Sequence, residues 1–66
     1  MNAYKIEIHV SELNDFILSE FGYLILVENC YKSPDKTEYE SFMFYPKLTK
    51  EQAENLYNLG YLISDK

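Results

Sequence analysis

The sequence has no arginine, no tryptophan, a single cysteine, two glycines and two prolines. Without arginine there is no bidentate fork to grip phosphate or carboxylate. Direct nucleic-acid binding and acylphosphatase-type anion chemistry are therefore both disfavoured. A lone Cys30 permits neither an internal disulfide nor a Cys-x-x-Cys metal site, and it fits a reducing compartment, so a cytoplasmic protein is expected. Two glycines leave no Gly-rich phosphate cradle. The N-terminal residues Met-Asn-Ala-Tyr-Lys-Ile-Glu contain no apolar core of a signal peptide. The longest apolar run, residues 23–27, is too short to cross a bilayer, so no membrane partner is expected.

What is present is acid and tyrosine. Eleven Asp and Glu face six lysines, a net charge of −5, and seven Tyr accompany four Phe. With 47% apolar residues the 66-residue chain can close one small core, which argues against disorder and for a single domain over residues 1–66. Tyrosine brings buried area with a polar tip, and it suits a thin core that meets water or a partner at its edge.

Along the chain, residues 4–10 alternate apolar and polar as a half-buried strand does. Ser11 stands as a helix N-cap, with Glu12 and Asp15 in the first turns where the dipole favours acids. Leu13, Phe16, Ile17 and Phe21 recur at helical spacing, and Gly22 reads as the stop. Residues 23–27 (Tyr-Leu-Ile-Leu-Val) predict a second strand, residues 31–38 a turn around Ser-Pro-Asp, and residues 39–45 a third strand that Pro46 ends. Thr49 with Gln52 forms a capping box for a second helix that Gly60 closes, and residues 61–64 form a short last strand.

The two halves superimpose at an offset of 38 residues, which carries Gly22-Tyr23-Leu24-Ile25 onto Gly60-Tyr61-Leu62-Ile63 and Ser11 onto Thr49. Strand-helix-strand twice over predicts an α+β fold of the ferredoxin-like β-α-β-β-α-β kind. Its antiparallel sheet has strand order 4-1-3-2 with both helices on one face. The alternative is a three-stranded sheet with two helices, the last strand being too short to pair. In the ferredoxin-like fold the duplication also sets the register: Tyr4, Ile6, Ile8, Phe42 and Phe44 point toward the helices, and Lys5, Glu7, His9, Ser41, Met43 and Tyr45 point away. The expected core is completed by Val10, Leu13, Phe16, Ile17, Phe21, Leu24, Leu26, Leu48, Ala53, Leu56 and Leu62.

Catalytic constellations are sparse. His9 and Cys30 read as a solvated histidine and a half-buried cysteine rather than a dyad. Asp35, Glu38 and Glu40 read as a solvated turn rather than a calcium site. Of the positions from which RNA-binding sheets stack bases, here Glu7, Met43 and Tyr45, one alone can stack. No enzyme activity, metal or cofactor is expected. The chain reads instead as an acidic protein-interaction module, an inhibitor or decoy of phage or plasmid type. Its carboxylates mimic DNA toward a basic surface of a partner protein such as a nucleic-acid enzyme. Glu12 and Asp15 on the first helix and Glu51 and Glu54 on the second lie on outward faces at three- and four-residue spacing and are the candidate partner-binding residues. A homodimer is expected through Ile25, Val27, Met43 and Tyr45, clustered apolar groups on an uncovered sheet face. The alternatives are a small-ligand or nucleic-acid module on that open face, and a minimal enzyme relying on His9.

Overall fold

The computed structural model describes residues 1–65. Strand β1 (Asn2–His9) is the centre of an antiparallel sheet. It pairs with β3 (Ser41–Phe44) on one side and with β5 (Leu62–Asp65) on the other. A two-residue β2 (Asp35–Lys36) lies outside β3, and β4 (Lys47–Leu48) pairs with the first residues of β1. The helices are α1 (Val10–Leu18), α2 (Glu20–Tyr23) running into a π-helical turn (Leu24–Glu28), and α3 (Lys50–Asn58). The result is a small α+β fold with an antiparallel sheet and three α-helices. No helix among the described residues is long and apolar enough to cross a membrane.

The alternation of residues 4–10 does set the register. Ile6 pairs with Phe44 and Ile8 with Phe42, so Tyr4, Ile6, Ile8 and Phe44 share the face that is buried beneath Phe16, Ala53 and Leu56. Opposite them, a row of Asp35, Met43, Glu7 and Leu62 crosses four strands on the other face. Thr49 caps α3 through the expected box: its hydroxyl accepts from the Gln52 N–H at 3.1 Å, and the Gln52 carbonyl oxygen accepts from the Thr49 N–H at 2.9 Å. Gly60, at φ +97°, closes α3. Its N–H reaches the Tyr57 carbonyl while the Tyr61 N–H reaches that of Leu56, a Schellman pair.

The second strand is a correction. Residues 23–27 are helical, divided between α2 and the π-turn, whose i→i+5 bond runs from Asn29 N–H to Leu24 C=O at 3.0 Å. Two neighbours decide this. Ser19 leaves the helical conformation at ψ 142°, and its hydroxyl donates to Phe16 C=O while accepting from Gly22 N–H, so it ends α1 and caps α2 in one residue. Gly22 is buried inside α2, where a Cβ would stand 1.7 Å from the Phe16 oxygen; it is a close-packing point and not a stop. The identical tetrapeptide at Gly60 becomes a helix end and a strand. The repeat therefore does not extend to structure, and among the described residues no full-length second strand pairs with β3.

Smaller corrections follow. The N-cap of α1 is His9, not Ser11: its Nδ1 accepts the Ser11 N–H at 3.1 Å. Phe21, Leu24, Val10 and Leu62, expected in the core, are exposed. Ile25, Tyr45 and Pro46 are buried in their place. The expected four-stranded order is replaced by a sheet of five strands among the described residues, in which β5, β1, β3 and the two-residue β2 lie side by side and β4 also pairs with β1.

Candidate interaction surfaces

The four carboxylates expected to meet a partner are all exposed, but they fall in two places. On α1, Glu12 and Asp15 line a shallow hollow with Ser19, Phe21, Leu59 and Tyr61. Glu12 contributes to holding the Tyr61 phenol above its ordinary value of 10.0, second to burial of the ring. On α3, Glu54 lines a different hollow with Lys50, Tyr57, Asn58 and Asp65, and Glu51 stands exposed one turn earlier. Both helices sit on the same side of the sheet, as the shared core requires.

The residues expected at a dimer face are not brought together. Ile25 belongs to the π-turn and is 1% exposed, and Val27 is exposed on that same helical segment, away from the open sheet face. Met43 does stand on the open face, half-buried between Glu7 and Asp35. Tyr45 is buried just beyond β3 against residues 31–35. Its hydroxyl donates to Asp35 Oδ2 at 2.5 Å, Lys32 Nζ lies 4.0 Å from its ring centre, and the Tyr31 ring packs 6.0 Å away. The Asp35 carboxylate, by accepting that bond, holds the Tyr45 phenol above its usual 10.0. The open face is thus a mixed polar surface, not the apolar patch that the strand assignment implied.

Cys30 and His9 stand toward opposite ends of β1. Cys30 bridges to Pro46, whose carbonyl accepts from Tyr4, while His9 pairs with Ser41. From Tyr4 to His9 the strand spans roughly 16 Å. Burial raises the Cys30 thiol above 9.0, so it is a weak nucleophile near neutrality. His9 uses Nδ1 to cap α1, with the Ser11 hydroxyl 2.8 Å from the same nitrogen, and it borders a hollow with Glu7, Glu12, Tyr39 and Ser41. Among the described residues no cluster of His, Cys, Asp or Glu is arranged to hold a metal ion.

What sequence reasoning missed is apolar. Leu18, Phe21, Tyr23, Leu24 and Val27 are all exposed along α1, α2 and the π-turn. The signal was there, in an apolar run beside Ser19 and Gly22, but a strand reading sent half of it into the core. No protein-family model, curated protein or solved structure matches the chain.

Proposed function

We propose that this protein is an acidic interaction module without chemistry of its own, an inhibitor or decoy in the cytoplasm that occupies a basic surface of a partner protein such as a nucleic-acid enzyme. One observation carries the reading. Of the eleven carboxylate side chains in the sequence, Asp35 alone makes an ion pair among the described residues, with Lys32 at 3.8 Å. Unpaired carboxylates spread over two helices of a chain without arginine leave a net negative field that six lysines offset only in part. Such a field speeds encounter with a cationic groove and favours it over other surfaces.

In this reading Glu12, Asp15, Glu51 and Glu54 stand in for phosphates. Self-pairing through the open sheet face is left with Met43 and Leu62 as its apolar contacts, set among Glu7 and Asp35, so the reading rests on a different protein as partner. We read the scaffold as a reduced ferredoxin-like plan, supported by the neighbour order β5-β1-β3-β2, with a helical segment and a two-residue strand in place of a full second strand. The experiment is affinity capture with the tagged chain, followed by a salt series on each captured protein. The reading expects partners with a basic groove and binding that weakens as salt rises. Partners without such a groove would count against it.

A further inference from the structure

Between Ile6 and Tyr31 the chain carries five carboxylates, at Glu7, Glu12, Asp15, Glu20 and Glu28, and not one lysine. The same stretch holds a run of exposed apolar side chains. Leu18 is 83% exposed, and Tyr23, Leu24 and Val27 follow it along the outer side of α2 and the π-turn, while Gly22, Ile25 and Leu26 fill the inner side. Leu18, Tyr23 and Leu24 line a mainly apolar hollow with Ile17, Ser19 and Glu20. Ser19 also lines the hollow of Glu12 and Asp15, so the apolar strip and the acidic one adjoin.

An exposed apolar strip in so small a chain marks an interface. The backbone of residues 20–28 is spent on helical bonds, so nothing there can add a strand, and a partner must dock by side chains. A second copy is disfavoured, because facing strips would set Asp15, Glu20 and Glu28 of one copy against the same carboxylates of the other, with no lysine between Ile6 and Tyr31 to separate them, in a contact that excludes water.

We infer that this strip is the seat of a basic amphipathic helix from the partner protein. Apolar residues of that helix pack on Leu18, Tyr23, Leu24 and Val27, and its lysines or arginines meet Asp15, Glu20 and Glu28. The strip along residues 20–28 is roughly 12 Å long, about two turns of such a helix. The inference rests on the acidic-module reading and adds to it the surface used and the form of the partner.

The test is an NMR titration of the full chain with a leucine–lysine peptide whose leucines recur at i, i+3, i+4 and i+7, beside a scrambled peptide of the same composition. The inference expects amides of residues 17–28 to shift and the patterned peptide to bind at least about tenfold tighter than the scrambled one, since two buried leucines are worth that factor or more. Leu18→Asp and Leu24→Asp, each at an exposed position, keep the folded spectrum and lose about tenfold in affinity. Equal binding of both peptides, with shifts centred on Glu51 and Glu54, overturns the strip and leaves the acidic-module reading standing. Binding of neither peptide overturns both. Shifts of residues 18–27 that grow with protein concentration alone put a second copy on the strip and overturn the inference.

Discussion

Gly22 lies so close to Phe16 that any β-carbon on it would stand 1.7 Å from the Phe16 carbonyl oxygen, a position that backbone, not a movable side chain, already fills. This approach lets α2 fold back on the end of α1 and carries Ile25 and Leu26 into the core. Gly22→Ala is expected to cost about 3 kcal/mol, at the upper end for overpacking, because α2 must move as a unit. Gly60→Ala has space around it and meets only the penalty of φ +97°, about 1 to 2 kcal/mol. Urea unfolding of the two variants checks the order; equal losses contradict the packing assigned to Gly22.

Phe44→Ala removes the ring that faces Ile6 across β1 and β3 and should cost about 3 to 5 kcal/mol, most of the stability of a domain this size. An unchanged melting temperature contradicts the register.

His9 caps α1 through a ring nitrogen. His9→Ala is expected to cost about 1 kcal/mol, and His9→Asp, which caps better, to restore it. Circular dichroism on thermal unfolding distinguishes a cap from a catalytic role. An equal loss in both variants contradicts the cap.

Alkaline pH should weaken the fold. Cys30, Tyr45 and Tyr61 all hold their protons more tightly folded than unfolded, Cys30 and Tyr61 chiefly through burial and Tyr45 chiefly through its bond to Asp35. Their contribution is fully present below the unfolded values of 9.0 for the thiol and 10.0 for the phenols, and it is lost as pH climbs through the raised folded values. Stability measured from pH 8 upward is expected to fall first as Cys30 ionises and then more steeply as the phenols do. Tyr45→Phe lowers stability at neutral pH and flattens the alkaline fall. A Tyr45→Phe profile parallel to wild type contradicts the role given to the Tyr45–Asp35 bond.

Much of the sheet was legible because alternation at Tyr4, Ile6 and Ile8 is a local signal that tertiary structure had no reason to override. The Thr49–Gln52 box and the Gly60 stop were legible for the same reason: each is built within a few residues. Residues 23–27 were not. A five-residue apolar run has no period by which to choose helix or strand, and the choice was made by Ser19 and by the fit of Gly22 under Phe16, a contact six residues away. The repeat misled because Gly-Tyr-Leu-Ile obeys its surroundings: one copy continues a helix, the other follows a left-handed glycine into a strand. For the site, the exposure of Glu12, Asp15, Glu51 and Glu54 followed from helical spacing. Their division between two hollows depended on how α1 and α3 pack, and the apolar strip depended on the helix that the strand reading had hidden.

The central claim, that carboxylates on the helical side bind a basic partner, is tested most directly by one affinity measurement. A captured partner is titrated with the wild-type chain and with the variant Glu12→Gln, Asp15→Asn, Glu51→Gln, Glu54→Gln, each at low and at high salt. These exposed changes should each move stability by no more than about 0.5 kcal/mol, and a thermal melt of the variant confirms that both chains are folded. The account predicts that wild type loses at least about tenfold in affinity at high salt, while the variant binds weakly and is nearly indifferent to salt. Wild-type affinity independent of salt, or a variant that binds as tightly as wild type, contradicts it.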